Sequence, residues 1–434
     1  MITGADFGIW LLYFIILYTI LWFYRNFKGV NNQIYTWFLK GFAVKVFGGV
    51  FFSLIFVYYY KFGDSFEYFK GGVVLGNAIV DAPMDYLDLL LSSSSYSHDG
   101  HLRQYTESLA YSDTAEEWFM VKFISPFSLI SFNSYLTINL FMSLFSFFGA
   151  WKLFRVFSDI LPNNKNYGFY AAFLVPSMIF WGGGLMKDTL TLCGVNYIIF
   201  VLYFGLIKGK FHMLHFFGAF FWFFITFTLK SYIVIAFFPS VVLIVYYKYK
   251  YSIKSEFFRI ISTPIIVGVF VIIGFLSLKA LSERSSKYGA NQLEGKVKGF
   301  HSWHTTLGGS SYNLGDIEYS ISGILKKIPE ALNVTFFRPY LWEAKSVVVI
   351  LGALESLILF LLFIYVIIKV KFGFYKYVQR SILLNSLIAF IVIFGFAVGF
   401  TSYNFGALGR YKMPVMSLFI FLLLYVNVKQ KESI

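Results

Sequence analysis

Runs of about twenty apolar residues recur along this chain, and they limit its fold more than any other feature. A bilayer core about 30 Å thick is spanned by a helix of that length. Spans are expected near 5–24, 41–60, 123–146, 167–182, 187–207, 212–229, 232–247, 258–279, 346–368, 381–400 and 412–427. Only 13% of the residues are charged, about half the share found in a soluble domain. The expectation is an all-α, polytopic transmembrane bundle of about 11 spans, forming one integral membrane domain over 1–434. The single cysteine, Cys193, excludes an intramolecular disulfide and a cysteine-built metal site.

Charge between the runs sets an orientation. Segments at 25–45, 152–166, 208–211, 248–259, 369–380 and 428–434 hold nineteen Lys and Arg against three Asp and Glu. Basic short loops stay on the cytoplasmic side, so the N-terminus is expected outside and the C-terminus inside. Arg25 and Lys28 follow the first run and no basic stretch precedes it, which argues against a cleaved signal peptide. The net charge of +14 is then a matter of topology, and no nucleic-acid partner is expected.

Two long loops fall outside in this arrangement, 61–122 and 280–345. The first is acidic, with apolar pieces at 72–91 suited to one or two short helices on the membrane. The second ends in "ISGILKKIPEALNVTFF" (321–337), which suits an amphipathic or re-entrant helix broken at Pro329.

Polar interruptions collect at that same outer face. "FGDSFEYF" (62–69), "WGGGLMKDTL" (181–190), "TLKSYI" (228–233), "FFRPYLWEA" (336–344) and "NFGALGRYKMP" (404–414) break the oil there. They bring Asp64, Glu67, Lys187, Asp188, Lys230, Arg338, Glu343, Arg410 and Lys412 to one level. Charges at membrane depth are expensive and are usually kept for function. The glycines at 182–184 permit a sharp turn or a broken helix end, and also a ligand's approach to bare amides; Asp188 is placed to cap the next helix.

The cations suit a phosphate or diphosphate. Arg338 and Arg410 offer bidentate forks, and Lys187 and Lys230 act as point charges. Asp64 and Glu67, three apart, share one side of a helix, and a carboxylate there can take a proton from a sugar hydroxyl. Glu343 and Lys412 complete the candidate substrate-binding set.

On "GDSFEY", "GGGLMKD", "FFRPYLWEA" and "GALGRYKMP", the chain resembles the GT-C superfamily of membrane glycosyltransferases and the Wzy-like surface-polysaccharide polymerases. The resemblance implies many spans, an acidic motif in the first large external loop and a polyprenyl-phosphate-linked sugar donor used outside the cytoplasm. It also implies a glycan or lipid-linked acceptor, a place in the inner membrane among its lipids, and Asp64 as catalytic base with Glu67 second. Here the family's adjacent acidic pair is absent at Asp64; the pair Glu116-Glu117 lies at the far end of the loop. No cofactor is expected. A divalent metal is the one option, because all six histidines come as pairs spaced by three: His98/His101, His212/His215 and His301/His304. Glu355, inside the ninth run, is expected to pair with a polar or basic group in the bundle. A lipid-linked-sugar flippase or polysaccharide transporter is the alternative function. No internal repeat supports it, and the deep charges crowd outward.

Overall fold

The computed structural model describes residues 2–30, 32–94, 100–250, 255, 310–315 and 321–433. Among these residues the chain is helical throughout, with one isolated bridge between Ser311 and Asn404 and no strand. Among the described residues, eight helices are long and apolar enough to cross a membrane. The elements that position the site are α1 (Gly4–Gly29), α2 (Phe38–Ile55), α3 (Asp64–Asp81), α4 (Pro83–Leu91), α5 (Ala115–Ile130), α6 (Tyr135–Ile160), α7 (Lys165–Phe173), α8 (Pro176–Phe180), α9 (Lys187–Val201), α10 (Met213–Tyr249), α11 (Ile328–Phe337), α12 (Val347–Val370), α13 (Ile382–Thr401), α14 (Phe405–Tyr411) and α15 (Met413–Lys431).

Helix starts follow local chemistry. Side chains of Ser134, Ser346, Ser381 and Asn404 accept hydrogen bonds from backbone amides at the starts of α6, α12, α13 and α14. α6 and α15 are the most enclosed long helices, and α1 turns almost entirely outward. α6 and α15 meet through stacked Phe157 and Phe421, centroids 3.8 Å apart. Gly149 lets α6 approach α9 so closely that a Cβ there would lie 2.6 Å from the Cys193 Cα.

The runs near 5–24, 41–60, 187–207, 346–368, 381–400 and 412–427 coincide with helices long and apolar enough to span. Two expectations are corrected, and the run at 258–279 lies outside the described residues. The run at 123–146 is not one helix. Phe132 and Asn133 are left-handed (φ 52° and 58°) and end α5, so the helix long enough to span is α6. The run at 167–182 is split into α7 and α8 at Leu174-Val175, just before Pro176. Proline disfavours helical geometry in the residue before it, and each piece is too short to span.

The runs at 212–229 and 232–247 form the two arms of α10, 37 residues long in all, which meet at non-helical Lys230 (φ −151°, ψ 72°). A straight helix of that length would reach about 55 Å. Its partners show that it folds back instead. Lys230 meets Asp188 at the start of α9, the His215 ring lies 3.2 Å from the Tyr197 hydroxyl further along, and Lys248 donates to the Ile207 carbonyl (3.0 Å) beyond its end. Positions 215 and 248 thus lie on the same side of 230 along one neighbour. The chain reverses at Lys230.

In the first loop, α3 and α4 occupy the expected helical stretch, and α3 is clamped to α5 by Gly71, Gly72 and Gly76 against Val121, Ile124 and Ser125. α11 begins beside Lys327, with Pro329 in its first turn, where the ring replaces an unneeded donor. It packs on α13: Thr335 donates to the Gly395 carbonyl (2.6 Å).

Candidate functional site

Helix starts bring carboxylates together. Asp64 opens α3, Glu116 and Glu117 sit in the first turn of α5, and Asp188 sits in the first turn of α9. Each lies where the helix dipole favours negative charge. Arg410, in the last turn of α14, sits where it favours positive charge. These groups, with Lys187, Lys230, Tyr68, Tyr232 and Tyr411, line a cavity of about 340 Å³.

Every cation lining that cavity is matched with a carboxylate. Arg410 donates to Asp64 at 3.0 Å across 346 residues of sequence, and the Tyr111 hydroxyl donates to the other Asp64 oxygen at 2.7 Å. Lys187 pairs with Glu117 at 2.5 Å, and Lys230 with Asp188 at 2.5 Å. Burial alone would raise the Asp64 carboxyl. The Arg410 charge and the two hydrogen bonds outweigh it and hold its pKa below the ordinary carboxylate value. Asp64 is therefore a firmly ionised partner of Arg410 and a weak proton acceptor as it stands. Tyr111 is shifted up by burial and by the same carboxylate.

The pairs differ in accessibility. Lys230 and Asp188 are 8% and 7% exposed, whereas Lys187 and Glu117 are 17% and 18% and Arg410 and Asp64 are 19% and 36%. Asp188–Lys230 is a buried staple at the α10 reversal. It is also not a helix cap, since Met186 occupies that position. Lys187 and Arg410 are the cations a ligand can reach.

A second cavity of about 190 Å³ is almost entirely apolar, walled by Phe47, Phe51, Phe180, Trp181, Gly352 and Phe405 among others. At its edge lie Glu355 and Lys412, 4% and 2% exposed and 3.9 Å apart. Glu355 accepts from the Ser177 amide (2.6 Å) and hydroxyl (3.0 Å), and Lys412 donates to Ser356 (3.3 Å). Trp181 walls this cavity and also lies under the Arg410 guanidinium, 5.7 Å away. The two cavities are therefore neighbours across Trp181 and α14.

The remaining expected residues are elsewhere. Arg338 pairs with Glu343 and lies over the Tyr312 and Phe405 rings at 5.5 and 5.4 Å. It does not line the ionic cavity; its neighbour Pro339 lines the apolar one. Burial pushes Glu343 up, but Arg338 and the Tyr340 amide hold it below the usual carboxylate value. Glu67 lines neither cavity. Lys412 belongs to the apolar cavity alone.

"WGGGLMKDTL" turns out to be a packing seam. A Cβ on Gly183 would lie 2.8 Å from the Gly49 amide of α2, and one on Gly184 would enter the Phe52 ring. Its polar atoms are taken up internally: Ser143 donates to the Gly183 carbonyl (2.9 Å), and the Leu185 amide donates to Asn139 (2.8 Å). Gly182, Gly183 and Gly184 are all buried, so their turn offers a ligand no open backbone. Their turn carries Lys187 to the cavity.

Sequence reasoning did not place Tyr111, Tyr411 or Trp181 in the site, and it held Glu117 only as part of a reserve pair. The pair's position just ahead of an apolar run was the available signal. His98, His301 and His304 lie outside the described residues. Among the described residues no three or more His, Cys, Asp or Glu side chains are placed to hold a metal ion. Comparison with protein-family models, curated proteins and solved structures gives no match to this chain.

Proposed function

We propose that this protein transfers or polymerises sugars from a polyprenyl-(pyro)phosphate-linked donor at the extracytoplasmic face of the cell membrane, in the assembly of a surface polysaccharide. One observation carries the proposal: an ion-lined cavity and an apolar cavity are both lined by α14, with Trp181 of the apolar cavity lying against Arg410 of the ionic one. A lipid-linked sugar has the same two halves. Its phosphates would take Arg410 and Lys187 away from their carboxylates, and its chain would run along Phe47, Phe51 and Phe180. Losing the Arg410 pair removes the largest of the influences that depress the Asp64 carboxyl, so donor binding itself would make Asp64 a better base toward an acceptor hydroxyl. Glu116, lining the same cavity, is the next candidate. The basic segments listed from sequence would then face the cytoplasm.

The alternative, a lipid-linked-sugar flippase, draws on one observation: Lys45, buried completely within α2. That lysine donates to the Met178 carbonyl (3.0 Å) and lines neither cavity. The test is the full chain reconstituted in vesicles with a polyprenyl-diphosphate sugar. Product formation should fall roughly 10²- to 10⁴-fold in Asp64→Asn while donor is still bound. Undiminished product in that variant removes Asp64 as base; donor crossing the bilayer without any product favours the flippase.

A further inference from the structure

The opposite end of the bundle carries a cavity that the proposed function leaves unused. From Lys187 to Ile207, α9 and its continuation rise about 30 Å. At that far end, the ends of α6 and α9, the start of α13 and the end of α15 enclose about 480 Å³. Its charged lining is Lys208, Arg380, Lys429, Asp159 and Glu432, and Ile160, Ile207, Ile382 and Leu383 line it as well.

The charges here are arranged differently from those beside Asp64. Asp159 accepts from Lys208 and from the Tyr203 hydroxyl through one carboxylate oxygen, both at 2.8 Å. Lys429 and Glu432 form a pair three residues apart, 25% and 49% exposed, of the kind worth about 1 kcal/mol or less. Arg380 has no carboxylate partner among the described residues; its guanidinium lies over the Tyr377 ring at 5.3 Å, and its charge also acts on Tyr425 of the cavity. Lys248 adds charge close by, donating to the carbonyl of Ile207 in the cavity wall. Among the described residues one cation has no carboxylate, a second is loosely held, and cations outnumber carboxylates.

We infer that this cavity binds a phosphate group, and that the group is the headgroup phosphate of an anionic membrane lipid. Arg380 presents two parallel donors to a phosphate, and Lys429 exchanges a weak surface pair for it. The isoleucine and leucine wall receives the first carbons of an acyl chain, which a free phosphate would leave empty. Basic pockets between spanning helices suit such headgroups. The inference stands on these residues alone and not on the proposed sugar chemistry.

The test uses the full chain in detergent mixed with equal phosphatidylglycerol and phosphatidylcholine, with retained lipid counted by native mass spectrometry. Phosphatidylglycerol should be retained in preference, Arg380→Ala should lower that retention roughly ten-fold or more, and Arg380→Lys should restore part of it. Unfolding in lipid-free detergent should match wild type; if Arg380→Ala fails to fold, Lys429→Ala carries the same expectation with a smaller loss. Equal retention of the two lipids, or retention indifferent to Arg380 and Lys429, overturns the site. Arg380-dependent binding of inorganic phosphate without any lipid preference overturns the lipid assignment.

Discussion

The two cavities beside Trp181 handle charge in opposite ways. One gathers seven charged side chains around about 340 Å³, and two of its three ion pairs remain within reach of solvent. The other confines its charge to Glu355 and Lys412, both nearly sealed from solvent among aromatic and aliphatic walls. Exposure decides what a pair is for. A reachable pair can trade partners with a ligand at little cost, whereas a sealed pair holds helices together, because an orphaned charge there has no water to turn to.

The largest effect should come from cutting the sealed pair. Lys412→Met leaves Glu355 buried without its cation and should cost roughly 3–5 kcal/mol. Lys187→Met, cutting a reachable pair, should cost about 1 kcal/mol or less. Unfolding of the purified protein in denaturant, followed by tryptophan fluorescence, measures both; equal losses would erase the distinction between the cavities.

A smaller effect separates head from chain. Arg410→Ala should weaken donor binding roughly ten- to a hundred-fold, whatever the length of the lipid. Gly352→Leu should weaken only long-chain donors, leaving a short-chain analogue unchanged, since Gly352 lines the apolar cavity and a Cβ there would meet nothing within 4 Å. Isothermal titration with the two analogues reads this out. Long and short chains weakened alike by Gly352→Leu would deny the apolar cavity a ligand.

The smallest effect concerns acid. The folded-state pKa of Asp64 is lowered, so its stabilising share is complete above the unfolded value of about 3.9 and disappears as pH falls through the folded one. Thermal stability should therefore hold between about pH 7 and 5, and the decline below about 4 should be shallower in Asp64→Asn. A variant profile parallel to wild type would mean that the Arg410 pair contributes nothing.

The membrane class and six of the runs were legible because apolar length is a one-dimensional signal. The reversal at Lys230 was legible as a polar break, although helical bonding runs up to it on both sides. The break at Phe132-Asn133 was not: nothing in "SFNS" outweighs the apolar residues around it, and a left-handed turn leaves little trace in hydropathy. Gathering polar breaks at one face correctly joined Lys187, Asp188, Lys230, Asp64 and Arg410. It failed for Arg338 because membrane depth does not give position around the bundle. It missed the pairing of the cations because Arg410 and Asp64 lie 346 residues apart, and no local spacing records such a match.

The Asp188–Lys230 staple also bears on how the chain enters a bilayer. Handed to lipid one segment at a time, the start of α9 and the corner of α10 would each bring a solitary charge, a penalty of up to about 3 kcal/mol apiece. Together they cancel. Only 42 residues separate the two, close enough to wait for each other during synthesis. Biogenesis is then best served by releasing α9 and both arms of α10 as one insertion unit, its polar corner already neutral when the lipid closes around it.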